Sequence, residues 1–245
     1  MTPQPILHTF SISHFSEKAR WGLDWAGVPY RLEPTIPFLH MRNARRLKVP
    51  GTSVPILERP GQSAIQGSSA ILDWAETQGT GLLPTGTDLE QRLDTKVGPR
   101  IIAYFYSEAA IETPREIPPL FMTDLSPMKS MAFRTFWPLI RRLMIVGMRL
   151  GPERRARARD HLLHELDWLD SLLRDGREYL GGDAPNRADL TAAALLAPVA
   201  LPPEHPVYKG LKPPPLMAAD CDDWANRPSM AHVRRMYARH RQPQR

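Results

Sequence analysis

The chain has 245 residues, 42% hydrophobic and 24% charged, which excludes disordered and collagen-like classes and leaves room for one large domain or two small ones. Its 32 Lys and Arg outnumber 26 Asp and Glu for a net charge of +6, but residues 234–245 hold five arginines and no acid. The body is therefore nearly neutral, the surplus reads as a basic tail, and nucleic acid is not an expected partner.

The opening MTPQPILHTF has no charge before His8 and lacks the pattern of a secretory leader. Met131–Leu150 is apolar but broken by Arg134, Arg141, Arg142 and Arg149, a poor bilayer span. A soluble cytoplasmic protein without stable membrane insertion is expected. The one cysteine, Cys221, excludes an intrachain disulfide and any multi-thiolate metal site.

Along the first eighty residues, strand and helix patterns alternate. Ile6–Phe10 reads as a buried strand. His14–Ala26 is helical, with Ala19, Leu23 and Ala26 at spacings of four and three and Gly27 placed to end it. A strand near Tyr30–Glu33 and a basic helix near Leu39–Leu47 follow. Val54–Leu57 and Ala64–Gln66 flank Arg59-Pro60-Gly61 as a hairpin, and Ser68–Gln78 is a short helix. The order mixes a parallel βαβ unit with an antiparallel pair.

Gly79–Asp88 (GTGLLPTGTD) reads as an interdomain linker. Beyond it only helices are predicted, roughly Leu89–Ala110, Pro127–Leu150, Pro152–Asp175, Ala188–Ala197 and Met230–Arg239. The third carries Leu162, Leu166, Leu169 and Leu173 on one stripe. Pro198–Pro215, with seven prolines, is predicted to be irregular. The fold class is α/β followed by all-α.

Three local signals carry chemistry. Ser13, where the first strand meets the first helix, suits an N-cap. It equally suits an anion site, where free N–H groups and the helix dipole favour a thiolate; Ser11 and Ser16 compete for that role. Val54-Pro55 before a strand marks either a sheet edge or a cis bond offering the Val54 backbone to an extended ligand. Ser68, where a strand passes into a helix, is a cap or a carboxylate binder. His161 and His164 lie beside Glu165 on a helix with no second such pair, so a solvent-facing position is expected and no metal.

In this order and spacing, Ser13-x-x-Ser16, Val54-Pro55, Gln66-Gly67-Ser68-Ser69-Ala70-Ile71 and the all-helical half resemble a cytosolic glutathione S-transferase of bacterial type, with serine at the thiol-activating position. The resemblance spans nearly the whole chain. Gly182–Leu190 is similar to the family's capping segment, with Asn186 capping a buried helix and Asp189 bonding back.

The resemblance implies a thioredoxin-like glutathione-binding domain over residues 1–79 and a linker over 80–88. Residues 89–245 become a helical co-substrate domain ending in a basic tail. Glutathione is the implied co-substrate, without a metal. Ser13 stabilises its thiolate, Val54 pairs with the cysteinyl backbone beside cis-Pro55, Ser68 holds the γ-glutamyl carboxylate, and His40 meets the glycyl carboxylate. Ile12 and Phe15, with Tyr104, Phe105, Phe136 and Trp137, are the candidates to line the pocket for a small apolar electrophile.

A homodimer with a detoxifying activity is implied, the reaction being conjugation or a glutathione-dependent isomerisation, dehalogenation or peroxide reduction. The alternative is a non-catalytic apolar-ligand or interaction protein on the same scaffold. One residue departs from the family pattern. Gly67 stands where an acid usually precedes the serine, leaving Gln66, or Asp94 from a neighbouring subunit, to meet the γ-glutamyl ammonium.

Overall fold

Four short strands form one sheet: β1 (Ile6–Thr9), β2 (Arg31–Pro34), β3 (Ile56–Glu58) and β4 (Ile65–Gln66), in the order β2-β1-β3-β4. The computed structural model describes residues 4–79, 88–208 and 211–241. β1 pairs parallel with β2, Ile6 opposite Arg31, and antiparallel with β3, Leu7 opposite Leu57. The βαβ crossover between the parallel strands β1 and β2 is made by α1 (His14–Trp25), while α2 (His40–Arg46) and α3 (Ser68–Gln78) complete the unit. Leu7, Leu23, Leu57 and Ile71 bury its core between sheet and helices.

The helical half begins with α4 (Asp88–Arg92), a π turn (Leu93–Val97) and α5 (Gly98–Glu112) in one continuous run. Pro99 explains the π turn. It has no N–H to give the Thr95 carbonyl, which instead accepts from the Arg100 guanidinium at 2.7 Å. The predicted linker at 80–88 lies outside the described residues except for Asp88, which opens α4.

Then come α6 (Ile117–Met122), α7 (Pro127–Gly147), α8 (Pro152–Leu172), α9 (Arg187–Ala200), α10 (Pro215–Trp224) and α11 (Pro228–His240). Two of these, α6 and α10, were not predicted. Pro198–Pro215 is irregular over a shorter stretch than expected, because Pro198 lies inside α9 and Pro215 starts α10. The α8 stripe of Leu162, Leu166, Leu169 and Leu173 is buried as its periodicity requires. α9 is fully buried and starts in a capping box: Asn186 accepts from the Ala188 and Asp189 N–H groups, and Asp189 accepts from the Asn186 N–H at 2.9 Å.

The two halves share a core. Ile12, Trp21, Ile36 and Leu72 from the first pack into the cluster formed by the helices of the second. A buried ion network reinforces that junction. Lys18 on α1, fully buried, donates to Glu90 at 2.8 Å, to Asp94 at 2.7 Å and to Ser69 at 2.9 Å. Arg187 on α9 meets Asp73, Glu76 and Glu90.

Four of the five arginines read as a basic tail, Arg234, Arg235, Arg239 and Arg241, are part of the fold. Arg234 donates to the Ala225 carbonyl, Arg235 to the Glu178 carbonyl at 2.7 Å, and Arg239 pairs with the Glu178 carboxylate. Arg241 is buried and bonds Glu17 at 2.6 Å and Asp24 at 2.7 Å. Burial alone raises the Glu17 pKa, but Arg241, His205 and Arg20 together hold it below the ordinary carboxylate value. Among the described residues, no helix is long and apolar enough to cross a membrane.

Candidate active site

A cleft of about 730 Å³ opens between the sheet domain and the helices, within the size range of small-molecule sites. Its first wall gathers Ser13, Val54, Pro55, Gln66, Gly67 and Ser68, with His40 and Phe10 beside them. Residues as far apart as 13, 54 and 68 meet because β1, β3 and β4 are neighbours and the turns after or before them open on one side.

Ser13 is the N-cap of α1. Its Oγ accepts the Ser16 N–H at 3.2 Å, so the hydroxyl proton remains available to a group in the cleft. The cap reading and the anion-site reading are therefore compatible in one side chain. Ser11 and Ser16 are buried away from the cleft, which separates them from Ser13.

Among the described residues, no basic side chain is hydrogen-bonded to Ser13. His14 is turned inward and, facing a carbonyl that only accepts, donates its Nε2–H to Gly98 O at 3.1 Å. Burial lowers its pKa to about 4, so it stays neutral. Gly98 itself is required by Phe15, since a Cβ there would stand 2.3 Å from the Phe15 ring.

The Val54–Pro55 peptide bond is cis. Among the described residues, the Val54 N–H and C=O have no backbone partner, and Val54 lines the cleft. At α3 the cap is Gly67, not Ser68, which is the first helical residue. With no side chain at the cap, the first amides of α3 are left for a ligand, and Ser68, Ser69 and Ala70 all line the cleft. Gly67 has φ of +95°, a region that strains any residue with a Cβ.

The Gln66 side chain is already committed: its Oε1 accepts from the Gly51 N–H at 2.8 Å and its Nε2 donates to the Ser53 carbonyl at 2.7 Å. Asp94 also lines the cleft, from its own chain, with its carboxylate held by Lys18 at 2.7 Å. The π turn carries it to Ser69, whose Oγ–H donates to the carboxylate at 2.6 Å. Around it, two cations (Lys18, Arg187) face four carboxylates (Asp73, Glu76, Glu90, Asp94), a local excess of negative charge. His40 packs edge-on to Phe10, and burial lowers its pKa.

The second wall is apolar. Of the six side chains expected there, Ile12, Phe15 and Phe105 line the cleft and Tyr104, Phe136 and Trp137 do not. Tyr104 points into the helical core, donating to Asp220 at 2.6 Å beside Trp224. Phe136 is exposed on α7, while Trp137 is buried and donates to the Pro114 carbonyl at 2.8 Å. In their place the wall uses Ile102, Tyr106, Phe121, Leu143 and Met148, together with Pro198 and Tyr208. The spacing of four from Ile101 to Phe105 and from Ile102 to Tyr106 is the signal that marks this face of α5. Tyr208, from the proline-rich stretch, donates to the Ile12 carbonyl at 2.5 Å and so braces the residue before Ser13.

His161 and His164 are exposed on α8, and Glu165 is bound to Arg92 at 2.7 Å. Among the described residues, no group of three or more His, Cys, Asp or Glu is arranged to hold a metal ion. Cys221 is half-buried away from the cleft, its thiol pushed up to about 12 by burial.

A thioredoxin-like sheet domain followed by a mostly helical one, with a cleft between them, is the architecture of glutathione S-transferases. The family model for the glutathione S-transferase N-terminal domain matches residues 7–81 and that for the C-terminal domain matches residues 152–233, together well over half the chain. The chain belongs to the glutathione S-transferase family.

No curated protein matches it in sequence. Among solved structures, the glutathione S-transferase CsGST63524 of Ceriporiopsis subvermispora, in complex with glutathione, is similar with a TM-score of 0.60 and 17% identity over 99% of both chains. FzlA from C. crescentus gives 0.55 and 18%, covering 94% of this chain and 92% of that one. A glutathione S-transferase of Methylobacterium radiotolerans, complexed with glutathione sulfonate, gives 0.53 and 19% over 94% of both. These likenesses are of fold.

Proposed function

We propose that the protein binds glutathione along the polar wall and joins it, through its thiolate sulfur, to a small apolar electrophile held against the helical wall. The observation that carries this reading is the convergence of Ser13, the Val54 backbone and the uncapped start of α3 on one side of a single cleft. In this arrangement Ser68 and the α3 amides receive the γ-glutamyl carboxylate, Val54 pairs with the cysteinyl backbone, and His40 is placed for the glycyl carboxylate. Asp94, within an acid-rich network, meets the γ-glutamyl ammonium in place of a carboxylate at position 67.

The sulfur then faces Ser13 and the N-terminus of α1. Its proton leaves to water, and the thiolate is stabilised by the Ser13 O–H and the helix dipole rather than by a neighbouring base. The S–C bond forms as the electrophile's leaving group departs or its acceptor carbon takes up the charge, without a protein-bound intermediate.

Retention on immobilised glutathione and turnover of a chloronitrobenzene test the reading, with the thiolate absorbance of bound glutathione followed against pH. Ser13→Ala is expected to raise the pKa of the bound thiol and lower kcat. Binding without turnover would leave a ligand-binding protein on the transferase scaffold. Neither binding nor turnover would remove glutathione from the account.

A further inference from the structure

The fold uses only one side of α7. Phe133, Trp137, Ile140 and Met144 are buried, whereas Met128, Met131, Leu139 and Val146 stand 75, 67, 57 and 70% exposed. Spacings of three, eight and seven keep those four along one side of the helix, a longer apolar strip than a surface normally leaves uncovered.

The same stretch carries charge of one sign. Residues 125–152 contain Lys129, Arg134, Arg141, Arg142 and Arg149 and no acid. Lys129 reaches Glu33 and Arg141 the Ala110 carbonyl, but Arg134, Arg142 and Arg149 have no carboxylate partner among the described residues. A second acid-free stretch, residues 34–57, carries Arg42, Arg45, Arg46 and Lys48 and exposes Phe38 and Leu39. The two stretches meet at the cleft, which Phe38 lines from one and Leu143 from the other.

We propose that this face docks on the surface of an anionic phospholipid bilayer, α7 lying in the headgroup plane with the mouth of the cleft turned toward the lipid. Phosphates then meet the unpaired arginines while Met128, Met131, Leu139 and Val146 enter the acyl boundary. Nucleic acid satisfies the cations but offers nothing to the apolar strip. A second copy of this face would set arginine against arginine with no acid between them. An apolar co-substrate dissolved in the bilayer reaches the cleft past Phe38 and Leu143 without crossing water. The docking itself does not depend on glutathione, so its test is independent of the reading above.

The full chain is sedimented with vesicles of pure phosphatidylcholine and of an equimolar mixture of phosphatidylcholine and phosphatidylglycerol. Partitioning at least about tenfold stronger onto the anionic vesicles is expected. Leu139→Glu/Val146→Glu and Arg142→Glu/Arg149→Glu should each lose about tenfold of it, and Arg157→Glu, on the exposed side of α8, almost none. Thermal melts of the variants separate lost docking from lost folding.

Absence of binding, equal binding to both vesicles, or an equal loss from Arg157→Glu would overturn the proposal. So would a fall in oligomeric mass in Leu139→Glu/Val146→Glu without lipid, which assigns the face to a second copy. Duplex DNA binding that survives that variant, with no vesicle binding, would assign the cations to nucleic acid instead.

Discussion

On one wall of the cleft, Ser13, Val54 and Ser68 sit at helix starts and a turn, where backbone groups as well as side chains face the ligand. On the other, Phe105, Tyr106, Leu143 and Met148 sit within or just past helices whose backbone is fully engaged, and they contribute mainly hydrocarbon and ring surface. The first wall recognises by direction, the second by volume. A single atom therefore matters more on the first, because a lost directional bond is not recovered by repacking, whereas a shortened apolar side chain changes only fit.

The contrast depends on the walls staying in register, and the largest effects are expected where they join. Arg187→Met leaves Glu90 and Glu76 without their shared cation and should cost about 3–5 kcal/mol of unfolding free energy by denaturant titration. Smaller loss would mean that Lys18 alone holds the junction.

Acid should loosen the same junction. His14 and His205 have folded pKa values lowered by burial from 6.5 to about 4, so the unfolded chain binds more protons between those limits. Stability is then fully present above pH 6.5 and falls as pH drops toward 4, by at most about 3 kcal/mol per histidine. His14→Gln should flatten that part of the stability profile, because Gln can keep a bond to Gly98 O without titrating.

Within the polar wall, Ser13→Ala should lower kcat about ten- to a hundredfold while the KM for glutathione changes little. Asp94→Asn should raise the KM for glutathione about tenfold at nearly constant kcat. Equal loss in both parameters would place Asp94 in a structural role only. On the apolar wall, Leu143→Ala should shift the KM for the electrophile about threefold and reorder substrates by size. If Leu143→Ala instead matched Ser13→Ala in kcat, the division between directional and volumetric walls would fail.

The polar wall was largely legible in the sequence, because turns and helix starts are written in Ser, Pro and Gly at fixed places. Ser13, Val54-Pro55 and Ser68 all stand in the cleft for that reason. The apolar wall was not. One step along a helix turns a side chain by about 100°, and that step sends Tyr104 to Asp220 while Phe105 and Tyr106 face the cleft. The same step separates exposed Phe136 from buried Trp137.

Short helices such as α6 and α10 start in prolines and span too few turns to show a period. The position of Asp94 was hidden for another reason: an α-helical count through residues 88–112 misses the π turn that carries it to Ser69.

Arg241 binds Glu17, 224 residues earlier in the chain. During synthesis the first helix leaves the ribosome long before its counter-ion exists, so the carboxylate of Glu17 must stay hydrated and the start of α1 unsealed until the end of α11 emerges. An early helix is thus completed by a residue synthesised 224 positions later.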